Sequence, residues 1–184
     1  LVRCQLDVPD GDDLGPERLV AAGAQAIFIA EPAANKVYID PTQVKSASDV
    51  FERFVMETNH QIARLLEESG VDLLFHCCGE LVDAYLVAFT QLRPALLSLG
   101  SSRKLWEDAR LVPKDIVLYG NLPTKHFYSD ELVPLASVGA KARELREKMK
   151  AAGHPFILGS ECDVLCVHGK EKSLKEKVGA LVDA

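Results

Sequence analysis

The chain has 184 residues, of which 48% are hydrophobic and 26% charged, a balance typical of one globular domain with a substantial core. Its net charge of −6 and the lack of a basic patch argue against a nucleic-acid partner. No apolar run approaches the ~20 residues needed to cross a bilayer, and no signal peptide is visible, so we expect a cytoplasmic protein with no membrane partner.

Strand and helix patterns alternate from the first clear element onward. A strand is predicted at Ala24–Ala30, and Asp49–Glu68 is predicted to be a long helix because its apolar residues recur at helical spacing. These apolar residues are Phe51, Phe54, Val55, Ile62, Leu65 and Leu66. Gly70 is placed to end this helix as a C-terminal cap, and the short apolar run Val71–His76 predicts the second strand.

The second part of the chain continues the same alternation. Further strands are predicted at Ala95–Leu99, Asp115–Tyr119 and Phe156–Leu158. Helices are predicted at Glu80–Leu92, Arg103–Leu111 and Leu135–Ala152, and a last one from Ser173, which forms a predicted capping box with Glu176. Five strand–helix repeats in a row predict a parallel sheet with right-handed crossovers.

The number of repeats bounds the fold. A complete (β/α)₈ barrel takes ~250 residues, whereas this chain supplies five strands, or six if Val2–Val8 forms one. We therefore predict that residues 1–184 form a single α/β domain, a parallel barrel segment that corresponds to the C-terminal five or six βα units of a TIM barrel. Such a sheet has two open edges, which we expect to be covered by a second copy in a homo-oligomer, by the N-terminal segment or by a missing half.

The stretch His76-Cys77-Cys78-Gly79 closes the second predicted strand and carries the strongest chemical signal. Because side chains alternate along a strand, His76 and Cys78 share one side and Cys77 takes the other. Cys162 follows another short apolar run, and parallel α/β folds place their sites at the carboxyl ends of strands. A histidine with two cysteines suits an open catalytic zinc, although three buried core residues are the alternative reading.

Other polar residues near these strand ends are weaker candidates. Glu31 ends the first clear strand, where it is either a fourth zinc ligand or substrate contact, or a solvated loop carboxylate. Asn121 follows the fourth strand and either hydrogen-bonds a ligand or serves as a turn residue. Glu31 and Asn121 are the candidate catalytic residues. Cys166 is an alternative metal ligand, and the odd count of five cysteines favours a reducing compartment over a disulfide framework.

Three motifs occur together in order: His76–Gly79, Gly120-Asn121-Leu122-Pro123 and Gly159-Ser160-Glu161-Cys162-Asp163. With them, the chain resembles the uroporphyrinogen decarboxylase superfamily, and within it most closely the zinc-dependent, corrinoid-linked methyltransferases. Those enzymes have His-x-Cys-Gly after one barrel strand and Gly-Cys followed by an acidic residue after the last. The segment Ala22–Pro32 is similar to their Gly-Ala-Asp strand. The likeness covers about residues 14–184 and corresponds to the C-terminal half of a full member.

The resemblance implies a TIM barrel that holds a catalytic Zn²⁺ through His76, Cys78 and Cys162. It implies methyl transfer from a methylcorrinoid protein to a small-molecule thiol or folate-type acceptor, with the zinc activating the acceptor, by this chain as part of a full-length enzyme. Decarboxylation of a tetrapyrrole is the first alternative. The second is a non-catalytic subunit or fragment that binds a corrinoid protein.

The chain departs from both groups at identifiable positions. The true decarboxylases have Gly-His-Gly where this chain has Gly159-Ser160-Glu161, and they lack the His-x-Cys pair. Many of the methyltransferases have Pro-Pro after the acidic residue, where this chain has Val164-Leu165-Cys166. The first departure disfavours a porphyrinogen substrate, and the second changes the loop beside the predicted metal.

Overall fold

The computed structural model of the chain describes residues 15–45 and 49–184. Five parallel strands form one sheet in the order in which they occur in the sequence. They are β1 (Ala26–Ala30), β2 (Asp72–Cys77), β3 (Leu96–Leu99), β4 (Val117–Leu122) and β5 (Phe156–Ser160). The predicted α/β class with a parallel sheet is confirmed. The segment Val2–Val8 and Cys4 lie outside the described residues.

Helices alternate with the strands, as in a (β/α) barrel. They are α1 (Pro16–Ala21), α2 (Pro41–Lys45), α3 (Asp49–Phe51), α4 (Glu57–Glu68), α5 (Asp83–Thr90), α6 (Leu105–Asp108), α7 (Leu135–Ala152) and α8 (Glu171–Val182). A π-helical turn, Glu52–Met56, joins α3 to α4, and a 3₁₀ turn, Thr124–His126, follows β4. In the part of the chain that the structure describes, no helix has the length and apolar character needed to cross a membrane.

The face of the sheet under the helices forms the core. The side chains of Phe75, Cys77, Leu97 and Leu99 point to this face and are fully buried. Phe89 of α5 packs against Phe75 with ring centroids 5.0 Å apart. Burial of such apolar side chains stabilises the fold by roughly 25 cal/mol per Å² removed from water, so the helix-covered face carries most of the packing energy.

The opposite face of the sheet is open in the described part of the chain. Phe28 and Ile157 on the edge strands β1 and β5 are 52% and 48% exposed. The parallel register aligns Ala30, His76, Ser98 and Tyr119 in one row across this face, near the carboxyl ends of the strands. A second row on the same face lies two residues earlier on each strand and consists of Phe28, Leu74 and Leu96. The open face therefore has a polar row above an apolar one.

The structure differs from the local predictions at Phe54 and at the start of the last helix. Phe54 was counted among the apolar residues at the spacing of a regular helix, but Glu52–Met56 is π-helical, and Phe54 is 68% exposed while Val55 and Met56 are buried. The last helix begins at Glu171 instead of Ser173. The Ser173 hydroxyl donates to Asp130 at 3.1 Å instead of capping the helix.

Candidate metal centre

The ends of β2 and β5 bring the three predicted ligands together. His76 lies near the end of β2, Cys78 is the first residue after this strand, and Cys162 lies two residues after the end of β5. One ligand atom from each of these side chains lies within 4.8 Å of the other two, so the group could hold a metal ion. His76 is buried, and the two cysteines are half-buried and free. Cys166 is exposed and is not part of this group.

The surroundings of His76 suit a metal ligand. Its Nδ1 lies 2.8 Å from the hydroxyl oxygen of the buried Ser98. A ring that donates from Nδ1 to this oxygen keeps the lone pair of Nε2 for a metal. Burial lowers the pKa of His76, and the nearby Lys125 lowers it further, so the imidazole is neutral at pH 7. The ring also stacks on Phe28, with centroids 5.5 Å apart, which fixes its orientation.

The two adjacent cysteines differ in environment. Burial raises the pKa of Cys78 to about 11, and a hydrogen bond with Cys162 contributes to the rise. On the opposite face, burial raises the pKa of Cys77 to about 12, and its Sγ lies 3.6 Å from the carbonyl oxygen of Ala34. Both groups are thiols at neutral pH, and Cys78 would become a metal ligand by releasing its proton when the cation binds.

A buried carboxylate lies next to the centre. Oε2 of Glu161 accepts the backbone N–H of Ser101 at 2.9 Å, and Nζ of Lys125 lies 3.9 Å from the same oxygen. Lys125 also donates to the carbonyl oxygen of Cys78 at 3.3 Å. Oε1 of Glu161 is buried and has no hydrogen-bond partner among the described residues. The Lys125 side chain therefore connects the loops that carry Cys78 and Cys162.

The loop after β3 supports the cysteine loop from one side. Asn121 is buried in β4, and its amide nitrogen donates to the carbonyl oxygens of Gly100 and Arg103 at 2.8 and 2.9 Å. A Cβ atom on Gly100 would lie 2.6 Å from the carbonyl oxygen of Cys78, so only glycine fits at this close approach. Asn121 thus holds a loop that touches the backbone of Cys78. A catalytic role for Asn121 stays a prediction.

Arg103 fastens the same loop to the start of α5. Its guanidinium donates to Asp108 on one side, to Asp83 at 2.9 Å on the other, and to the carbonyl oxygen of Leu81 at 3.2 Å. The Asp108 carboxylate is almost fully buried. Because α5 begins only at Asp83, the segment between Cys78 and this helix is a loop, and Arg103 anchors its far end.

Glu31 lies at the end of β1, beside the centre but outside the three-ligand group. Its backbone N–H donates to the carbonyl oxygen of His76 at 2.8 Å, which continues the pairing of β1 with β2. The residue is half-buried, and its carboxylate forms no ion pair with a described residue. A role as a fourth ligand or as a substrate contact stays a prediction.

A cavity of about 490 Å³ opens over the three donors. Its lining includes the donors themselves, Ser98 and Asp163, and apolar or aromatic wall residues. These wall residues are Phe28, Leu74, Leu96 and Tyr119. A small molecule in this cavity would contact the metal site at one end and the sheet face along its length.

Sequence reasoning missed two residues of the site. Ser98 was detectable, because strand alternation puts this single polar side chain of β3 on the same face as His76. Lys125 was not detectable, because its contacts with Cys78 and Glu161 depend on how two distant loops meet.

Comparison with known families gives one finding. The family model described as Uroporphyrinogen decarboxylase (URO-D) matches residues 17–184, which include all five strands and the three side chains that could hold a metal ion. Among curated proteins, no significant match to the chain was found.

Proposed function

The chain belongs to the uroporphyrinogen decarboxylase family, and from this premise we propose that it transfers methyl groups at a zinc centre formed by His76, Cys78 and Cys162. The donor is a methylcorrinoid protein and the acceptor is a thiol or a folate-type molecule. The observation that carries the proposal is the convergence of one imidazole and two thiols at the carboxyl ends of two parallel strands, beside a cavity.

The donor set favours zinc among the common metals. Sulfur and imidazole nitrogen are typical zinc ligands, and three protein ligands with an open fourth position are typical of catalytic sites. Two thiolates and a neutral imidazole cancel the charge of Zn²⁺, so an incoming thiolate meets no excess negative charge from the ligands. A zinc ion held here would bind the acceptor sulfur and lower its pKa, which presents the thiolate for attack on a methyl group.

The protein's own residues prepare the centre for this chemistry. His76 is neutral because burial lowers its pKa, and Ser98 orients its ring. Lys125 holds the Cys78 carbonyl and Glu161 together, which fixes the spacing between the two cysteine loops. In the transfer, a sulfur lone pair forms the new C–S bond, the electrons of the Co–C bond stay on the corrinoid, and the thiol proton goes to solvent.

Decarboxylation of a tetrapyrrole is the second candidate, and the description of the matching family model favours it. Two observations oppose it. The Gly-His-Gly of the decarboxylases is absent at Gly159-Ser160-Glu161. In addition, within the described residues no Lys or Arg side chain lines the cavity, although a substrate with several carboxylates requires cations.

Metal binding and turnover by the same preparation test the proposal. Zinc content is measured by elemental analysis after stripping and reloading, and affinity by competition with a chromophoric chelator. We expect about one zinc per chain. Cys162→Ser is expected to raise the dissociation constant for zinc by more than about 100-fold, and Ser98→Ala by about 10- to 100-fold. Cys166→Ser is the matched control and is expected to leave the affinity unchanged.

Turnover separates the candidate activities. Loss of methyl from methylcobalamin in the presence of a thiol, abolished in Cys162→Ser, is the expected result. Release of CO₂ from uroporphyrinogen without methyl transfer would favour the decarboxylase instead. A chain that binds zinc and catalyses neither reaction would favour the alternative of a non-catalytic subunit or fragment. A folded, reloaded chain without zinc would overturn the proposal.

A further inference from the structure

We propose that the molecule that reacts at the His76–Cys78–Cys162 centre is a small thiol with an apolar body and no negative charge. This inference rests on the proposed function, since it selects among the acceptors which that function allows. It follows from the wall of the cavity and from the charges on the loops around it.

The apolar wall lies directly below the metal ligands. Phe28, Leu74 and Leu96 are paired neighbours on β1, β2 and β3 and all line the cavity. They precede the row of His76 and Ser98 by two residues, a distance of about 6.6 Å along the strands. A thiol whose sulfur reaches the donors can therefore lay a chain of a few carbons along this wall and bury it.

The Lys and Arg side chains on three of the loops near the cavity are already paired. The loops after β1, β3 and β4 carry four Lys or Arg side chains, and each lies within 4.0 Å of a carboxylate. The pairs are Lys36–Glu80, Arg103–Asp108, Lys104–Glu107 and Lys125–Glu161. None of these four basic side chains lines the cavity.

The unpaired charge at the cavity is negative. Asp163 lines it and has no ion pair with a described residue. Glu31 follows β1 at the other edge of the sheet and is not among the residues that line the cavity. An anionic acceptor would be repelled by the Asp163 carboxylate and would lose its hydration against the apolar wall, where no described Lys or Arg side chain compensates its charge. This combination disfavours a folate-type acceptor with its carboxylates and a sulfonated or carboxylated thiol.

A series of thiols of similar length tests the inference. The chain is loaded with Co²⁺, whose thiolate charge-transfer absorption reports binding of an added thiol. The probes are 1-butanethiol, 3-aminopropane-1-thiol and 3-mercaptopropionate. We expect 1-butanethiol to bind at least about tenfold more tightly than 3-mercaptopropionate, because the carboxylate of the latter finds no cation in the cavity. The affinity of the aminothiol is expected to lie between the two.

A positive charge introduced into the apolar wall of the cavity provides a second test. Phe28 is half-exposed, so Phe28→Lys puts an ammonium beside the cavity without emptying the core. This variant is expected to reverse the preference and favour 3-mercaptopropionate. Phe54→Lys is the matched control, because Phe54 is also exposed but lies on the π-helical turn outside the cavity. It is expected to leave the preference unchanged.

The outcomes separate this inference from the proposed function. Metal binding with equal or tighter binding of 3-mercaptopropionate would overturn the inference and leave the zinc centre standing. If no metal binds, the charge preference of the cavity is measured by alkylation of the metal-free chain. The ratio of the rate with neutral iodoacetamide to the rate with anionic iodoacetate must then be higher at Cys78 and Cys162 than at the exposed Cys166. An equal preference at all three would overturn the inference.

Discussion

Cys77 and Cys78 are adjacent residues of the same type in opposite environments. Cys77 points to the helix-covered face, is fully buried and belongs to the apolar core. Cys78 lies on the other side, half-buried, with His76 and Cys162. The alternation of side chains along a strand therefore separates a residue that stabilises the fold from one that offers chemistry.

The same division holds across the whole sheet. On the helix-covered face, Phe75, Leu97 and Leu99 have no solvent exposure. On the open face, Phe28 and Ile157 are about half exposed, and the polar row of His76 and Ser98 faces a cavity. The open face can accept a ligand because the described helices all pack elsewhere. This comparison predicts that substitutions on the two faces have different consequences.

The largest expected effect is a loss of stability on the helix-covered face. Phe75→Ala removes a fully buried ring that packs against Phe89, and it should lower the free energy of unfolding by about 3–5 kcal/mol. Phe28→Ala, on the half-exposed edge of the open face, should lower it by less than about 1 kcal/mol. Urea denaturation of the metal-free chain measures both. Equal losses would mean that the open face is packed in solution.

The adjacent cysteines give the second prediction. Cys78→Ala should weaken zinc binding by more than about 100-fold while changing the stability of the metal-free chain little, because Cys78 is half-buried and is one of the three proposed ligands. Cys77→Ala should keep the zinc affinity and lower the free energy of unfolding by about 1 kcal/mol, since it leaves a small cavity in the core. Chelator competition and urea denaturation are run on both variants. Loss of zinc from Cys77→Ala with the fold intact would contradict the division between the faces.

Much of this division could be predicted from the sequence. Apolar runs bounded by glycine or proline located the five strands, and period-two alternation placed His76 and Cys78 on one side with Cys77 on the other. Because parallel strands end at the same edge of a sheet, Cys162 was expected near them although it is distant in sequence.

The rest depends on tertiary contacts that a local pattern does not contain. The predicted fourth strand stopped at Tyr119, but β4 continues to Leu122 because Asn121 and Leu122 pair with Gly159 and Ser160 of β5. The hydroxyl of Ser173 was predicted to cap a helix, and a carboxylate 43 residues away in sequence takes its hydrogen bond instead. Lys125 reaches the loops that carry Cys78 and Glu161 only because the turn after β4 lies next to both of them.

The smallest expected effect is the loss of an ion pair whose carboxylate is exposed, because such pairs contribute little to the stability of the fold. The buried ammonium of Lys177 donates to the exposed Asp130 at 2.7 Å, and this bond, with that from Ser173, lowers the pKa of Asp130 below 3.8. As the pH falls, Asp130 binds its proton in the unfolded chain before it does so in the folded chain. The contribution of Asp130 to the free energy of unfolding is therefore present above pH 3.8 and is lost as the pH falls through the lowered pKa of the folded state. Asp130→Asn should therefore lower the urea midpoint slightly at about pH 6, and the difference from the parent chain should shrink as the pH falls below 3.8. Lys177 also donates to the carbonyl oxygen of Phe127 at 2.7 Å, so it remains partnered in the variant. If Asp130→Asn lowered the urea midpoint as much as Phe75→Ala does, the Lys177–Asp130 ion pair would stabilise the fold as much as a buried core side chain.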